Sequence, residues 1–264
     1  MLVLALDTSS LSLSTALCEI ELHPSGRWTQ RTLASEVHHP PARHGNLLPQ
    51  ALLGLCAQAG RGLADVQGLA VGIGPGSFTG LRVGLAAAKA IAYARRLPLA
   101  GTSSLRALAR AAEVQPQAAA RLLVPTLEAR RDELYAEVLD LPCEGDAGGA
   151  DSRVLKAEAA YRPPALVAML REVAAGRAPL LFGPGQAACR ASLAAAGAPA
   201  LWFEPHGDLP ALPLAAEVAL LCARDLLAAA YDEARVFALA PNYVKPSEAE
   251  VALAEGRVGG LPKK

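Results

Sequence analysis

The stretch from Gly68 to Arg96 most narrows the folds open to this chain. A short apolar run, Gly68 to Ile73, passes through the turn Gly74-Pro75-Gly76-Ser77-Phe78-Thr79-Gly80 into a helix-forming segment, Leu81 to Arg96, closed by Leu97-Pro98. A buried strand feeding straight into a long helix is the building unit of α/β proteins.

The glycines invite a phosphate or nucleophile reading, and their spacing answers it. A P-loop needs Gly-Lys-Ser/Thr after its second glycine, whereas Gly80 is followed by Leu81 and Arg82 and the lysine waits until Lys89. A dinucleotide fingerprint fails because Ser77 or Thr79 stands where its third glycine belongs. The residues two away from Ser77 are Pro75 and Thr79, so there is no nucleophile elbow. What remains is a tight strand-to-helix turn, with close backbone approach at its glycines and Ser77 or Thr79 capping the helix. Anion binding by the helix's free amides stays open.

Upstream, residues 2 to 8 and 11 to 18 read as strands joined by the turn Asp7 to Ser12, and a third strand runs from Trp28 to Ala34. Asn46 can cap a helix from Leu47 to about Ala59, ended by Gly60 and Gly62. With the strand near Leu99 and a helix at about Ser103 to Ala112, the first half spells βββαβαβα. The second half is a looser version. Leu122 to Leu127, Glu133 to Leu141, Pro179 to Phe182 and Leu201 to Phe203 read as strands. Pro163 to Ala175, Gln186 to Ala196 and Leu214 to Tyr231 read as helices, with a flexible loop from Cys143 to Ser152.

At 264 residues, two lobes are expected. With 52% hydrophobic but only 4% aromatic residues, their cores must be built from Ala, Leu and Val, which suits helices packed closely on sheets. Twenty-five basic residues balance 25 acidic ones, so no long-range field draws in nucleic acid or an anionic membrane. The start, Met1-Leu2-Val3-Leu4-Ala5-Leu6-Asp7, has no basic leader and too short an apolar run to span a membrane, which predicts a cytoplasmic protein. The five cysteines show no C-x-x-C pair and are expected to be reduced.

Two helices carry too little charge for ordinary surface helices. From His44 to Gly60 there is no Asp, Glu, Lys or Arg, and along Leu81 to Arg96 three of the four charges, Arg82, Lys89 and Arg96, fall seven apart on one stripe. Either both helices are sandwiched inside their lobe, or they form an interface with a partner chain through Leu48, Leu52, Leu55, Arg82, Leu85, Ala88, Lys89 and Ala92.

Six motifs then coincide in one order: LALDTSS (Leu4 to Ser10), HGNLLP (His44 to Pro49), GPGSFTGLRVG (Gly74 to Gly84), LPLAGTSSL (Leu97 to Leu105), EARRDELY (Glu128 to Tyr135) and PNYVK (Pro241 to Lys245). Together they resemble the TsaB family, subunits of the bacterial tRNA threonylcarbamoyladenosine (t6A) machinery. Glu128, where the family usually shows aspartate, and Val244-Lys245, where Leu-Arg is commoner, are mild departures.

The resemblance implies an α/β, two-lobed actin-like ATPase fold (ASKHA, ribonuclease H-like). The expected divisions are 1–104 for the first lobe with the partner-binding helices, 105–212 for a reduced second lobe, 213–240 for a terminal helix returning to the first, and 241–264 for an extended tail. It also implies a non-catalytic subunit that binds TsaD, the transferase acting on the tRNA adenosine 3′ of the anticodon, with TsaE joining the pair. Pairing with itself is left open for the chain alone, and tRNA is touched only indirectly.

TsaD holds a metal through two histidines in an H-x-x-x-H helix. The corresponding positions here fall on about Ser104 and Leu108, and neither supplies an imidazole. No metal and no tightly held nucleotide is expected, with ATP or ADP left open at the complex interface. Asp7, Ser9 and Ser10 are the weak candidates for a nucleotide contact, although Asp7 reads better as the anchor of its turn. The competing reading is an enzyme, either a glycoprotease-type peptidase or a small-molecule kinase of the same fold.

Overall fold

A computed structural model describes residues 1–39, 44–113, 122–129, 132–140, 153–199, 202 and 214–245. Strands β1 (Leu2–Asp7), β2 (Leu13–Leu22) and β3 (Trp28–His38) are followed by helix α1 (His44–Gln58), β4 (Gly68–Gly72), α2 (Phe78–Arg95), β5 (Leu99–Thr102) and α3 (Ser104–Glu113). The expected βββαβαβα order is present. Then come β6 (Leu122–Glu128), β7 (Leu134–Asp140), β8 (Arg153–Tyr161), α4 (Pro163–Val173), β9 (Pro179–Phe182), α5 (Pro184–Ala188), α6 (Arg190–Ala195), α7 (Leu214–Leu221), α8 (Ala223–Ala228) and α9 (Glu233–Ala238).

The first sheet has the order β3-β2-β1-β4-β5, with β1 antiparallel to β2 and parallel to β4. Its central strand explains its own sequence. Every residue of Leu2–Asp7 is buried, and alternation sends Leu2, Leu4 and Leu6 to one face and Val3 and Ala5 to the other. The leucine face packs under α1 and α2. The opposite face is lined by Ala5, Ala16, Ala70 and Ala100, and it admits Ala215, Ala216 and Ala219 of α7. Small residues on both sides bring this helix close to the strands, which is where the alanine-rich composition is used.

The second sheet, β8-β7-β6-β9, is one strand smaller and again joins its central strand parallel to the last one. Leu105, Leu108 and Ala112 of α3 fill one of its faces, while α4 and α6 cover the other with Leu166, Leu170 and Leu193.

The departures from expectation are local. Helix α2 starts at Phe78 rather than Leu81, because Ser77 Oγ accepts from Gly80 N and caps it three residues early. Strand β8 had no sequence signal: Arg153–Tyr161 is an edge strand paired with β7, and none of its residues is fully buried, so no apolar alternation marks it. The long helix expected from Leu214 to Tyr231 breaks at Cys222 into α7 and α8, and the helix expected from Gln186 to Ala196 divides at Cys189. The expected loop from Cys143 to Ser152 lies outside the described residues, as do residues 246–264 of the tail and all of the strand expected at Leu201 to Phe203 except Trp202.

Candidate functional site: the outer face of two helices

The glycine-rich turn is packed against the DTSS turn at the end of β1. Thr8 Oγ1 donates to Gly80 O at 2.8 Å, and Ser77 N donates to Ser9 O at 2.7 Å. A Cβ at Gly80 would stand 2.2 Å from Thr8 O and one at Gly84 2.2 Å from Thr8 Oγ1, so the glycines let α2 lie on this turn. The close neighbour of Gly84 is therefore the β1 end rather than another helix.

Asp7 is 1% exposed and fully engaged within the chain. Its Oδ1 accepts from Ser9 N at 2.9 Å and Ser9 Oγ at 2.6 Å, while its Oδ2 accepts from Ser104 Oγ at 2.6 Å. Ser104 also takes Gly74 N on its Oγ at 3.2 Å. Ser10 Oγ donates to Ser12 O at 3.2 Å within the turn. Asp7 and Ser9 thus tie β1, the glycine turn and α3 together, the anchoring role that the turn's sequence suggests for Asp7. Leu108 is 1% exposed in the core between α3 and the second sheet.

Of the eight residues proposed for a partner interface, six belong to the chain's own core. Leu48, Leu52, Leu55, Leu85, Ala88 and Ala92 are all at most 5% exposed, packed with Leu4, Leu6 and Val71. Only Arg82 and Lys89 reach the surface. The sequence shows that a helix is apolar, but not which apolar side the sheet takes.

What α1 and α2 leave outward is different. On α1 the exposed positions are Pro49, Gln50, Leu53, Gly54, Ala57 and Gln58, with Leu53 58% exposed. On α2, Val83, Ala87 and Ile91 turn toward the core beneath α1, and Thr79, Ala86 and Ala90 face out beside them. The result is an uncharged face of small side chains with one protruding leucine.

Along the other flank of α2 runs the C-terminal segment. Tyr93 meets Phe237 with ring centroids 5.7 Å apart, Lys89 Nζ donates to Phe237 O at 2.8 Å, and Arg82 Nε donates to Tyr243 Oη at 2.9 Å. The Arg82 guanidinium also lies 3.8 Å over the Phe78 ring, which stacks 5.2 Å from Tyr243. Two members of the charged stripe, Arg82 and Lys89, therefore bind the chain's own residues Tyr243 and Phe237.

Beyond Tyr243 the segment enters a cavity of about 150 Å³ lined by Gly76, Ser77, Phe78, Glu128, Tyr135 and Lys245 among others. That is small beside the roughly 300 Å³ or more of ordinary ligand pockets. Lys245 Nζ donates to Glu133 Oε2 at the cavity's second-sheet side, and burial raises the Glu128 carboxyl above its ordinary range.

Nearby, Glu158 of β8 accepts from Ser103 Oγ and from Asn242 Nδ2, and Glu137 Oε1 of β7 accepts from Arg106 Nη2 at 3.2 Å. Burial raises both carboxyls, with mutual repulsion adding at Glu137. This junction went unseen in the sequence, because β8 itself carried no signal. Among the described residues no group of three or more His, Cys, Asp and Glu is placed to hold a metal, and no helix is long and apolar enough to cross a membrane.

Comparison with known proteins agrees with this architecture. Residues 36–157 match the family model of TsaD, the tRNA N6-adenosine threonylcarbamoyltransferase. The tRNA threonylcarbamoyladenosine biosynthesis protein TsaB of Haemophilus influenzae is 38% identical over 134 residues, 50% of this chain and 51% of that protein. TsaB of Escherichia coli is 32% identical over 135 residues, 51% and 53% respectively. The chain thus spans about half the length of the curated relatives it matches. An uncharacterized Pseudomonas aeruginosa protein, described by its similarity to the peptidase YeaZ, superposes with a TM-score of 0.65 at 25% identity over 92% of this chain and 99% of that one. The fold is α/β of the actin-like, ASKHA type, and the chain is a relative of the TsaB proteins.

Proposed function

We propose that the chain is a non-catalytic subunit of t6A biosynthesis that docks on a TsaD-type transferase and supports threonylcarbamoyl transfer to tRNA. The observation that carries this reading is the uncharged outer face of α1 and α2, with Leu53 standing out of it. Residues 36–157, which include both helices, match a TsaD-type model, so partner and chain would offer like faces. Two like faces pair about a pseudo-twofold axis, and the same face would let the chain pair with itself when alone. TsaE would join the complex, and any ATP or ADP would sit between subunits. The proposed division into lobes 1–104 and 105–212, a returning segment 213–240 and a tail 241–264 serves this role by leaving α1 and α2 on the outside.

The engagement of Asp7 and Ser9 inside the chain favours a scaffold over a kinase or peptidase. Light scattering of a mixture with the TsaD of the same organism tests the reading. A heterodimer that Leu53→Glu or Ala90→Glu abolishes supports it, and unchanged association of both variants would sink it.

A further inference from the structure

The segment from α9 to Lys245 touches the first lobe and the second in alternation. Phe237 lies on Tyr93 and Lys89 of α2. Asn242 donates from its backbone to Ile73 O at 2.7 Å, just past β4, while its side chain donates to Glu158 of the second sheet. Tyr243 returns to α2 through Arg82 and Phe78. Val244 packs on the core between α3 and the second sheet, and Lys245 pairs with Glu133. Ser103, at the start of α3, shares Glu158 with Asn242, so the anchor on the second sheet also grips the first lobe directly.

We propose that residues 233–245 are a strap that sets the charged edge of the docking face on α2 and couples partner binding there to the relative position of the two lobes. The inference rests on the docking role given to α1 and α2. The reason is geometric. Arg82 and Lys89 are long side chains whose rotamers would be free on a bare helix, and ordering each at an interface costs conformational entropy. Tyr243 and the Phe237 carbonyl hold both in place before any partner arrives. Because Asn242 and Lys245 fasten the same strap to the second sheet, a partner that presses on Arg82 and Lys89 acts on Glu158 and Glu133 as well. By linkage, lobe position must then act back on partner affinity.

The experiment uses the full chain with the TsaD of the same organism, comparing wild type with the double variant Asn242→Ala/Lys245→Ala, with Tyr243→Phe and with Leu53→Glu. Asn242 and Lys245 make their side-chain contacts on the second lobe, away from the α1–α2 face. The expected result is that the double variant keeps its circular dichroism but binds TsaD about tenfold more weakly, within the usual range of coupling between sites. Tyr243→Phe keeps the ring stack, loses the acceptor for Arg82 and weakens binding less.

A second readout is one that a merely structural role would not move. On complex formation, hydrogen exchange slows in peptides covering β8 and residues 239–245 of wild type, and does not slow there in the double variant. Affinity of the double variant within twofold of wild type, while Leu53→Glu abolishes binding, would overturn the strap and spare the docking face. Unchanged binding of Leu53→Glu would instead overturn the docking face on which the strap depends.

Discussion

Ser104 Oγ donates to Asp7 Oδ2 at 2.6 Å across 97 positions of sequence, fastening the start of α3 to the end of β1. The pair sits against Gly72, where a Cβ would lie 1.8 Å from the same Asp7 oxygen and 2.9 Å from Ser104 Oγ. A buried carboxylate is tolerated here because three donors surround it.

Gly72→Ala is accordingly expected to destabilise the protein by about 3 kcal/mol or more, since neither Asp7 nor Ser104 can move without losing its partner. Ser104→Ala leaves Asp7 with fewer donors and Gly74 N without its acceptor, at roughly 2–4 kcal/mol. Urea denaturation measures both. Wild-type midpoints would contradict the packing.

Leu52 and Leu53 are neighbours with opposite fates. Leu52 is 3% exposed in the core and Leu53 is 58% exposed. Leu52→Glu buries an unpaired charge and is expected to unfold the chain or drive it into aggregates. Leu53→Glu should leave the thermal midpoint within about 3 °C, as surface changes do, while removing self-association and TsaD binding. Calorimetry and light scattering on the same two samples separate the outcomes.

Glu137 is 2% exposed, and its Oε2 has no hydrogen-bond partner among the described residues. Burial, the largest influence, and the neighbouring Glu158 raise its carboxyl above the unfolded value, while Arg106 opposes them. A raised folded value means that the stabilising contribution is full below the ordinary carboxyl range, near 4.5, and fades as pH rises through the folded value. Glu137→Gln keeps the acceptor for Arg106 and removes the buried charge. It is expected to stabilise the protein more at pH 7 than at pH 5 and to flatten the fall in stability above the ordinary carboxyl range. Denaturation at pH 5 and pH 7 checks the sign, and equal losses at both would refute it.

Cys18, Cys56, Cys189 and Cys222 are free and buried, and burial pushes the Cys18 thiol up to about 11 and Cys222 to about 12. Since only the thiolate reacts, these four should resist alkylation for hours at pH 8 in the folded protein and react within minutes in urea. Mass spectrometry after a timed quench counts them, and rapid modification of Cys222 in the native state would contradict its burial.

The strands β1 and β4 and the helices α1 and α2 were legible in the sequence because each carries an apolar run, continuous in the two fully buried strands and long and poor in charge in the two helices. The six motifs likewise pointed to the TsaB proteins to which the chain is similar. Strand β8 was not legible, since none of its residues is fully buried and no face of it is marked by apolar alternation, and with it went the Glu137, Glu158 and Ser103 junction. Nor was the break at Cys222, where α7 remains apolar on nearly all sides and offers no punctuation before α8.

By itself, then, the sequence determined the α/β order, the absence of P-loop or dinucleotide glycine spacing, and two helices poor in charge. Only the tertiary structure decided which side of those helices is free. Leu48, Leu52 and Leu55 are consumed by the sheet and Leu53 is not, because a one-residue step turns a helix by about 100° and the face chosen depends on where the strands lie. It also decided what Arg82 and Lys89 meet. Their partners, Tyr243 and the Phe237 carbonyl, lie about 150 residues away along the chain, a distance over which no local pattern in a sequence can signal contact.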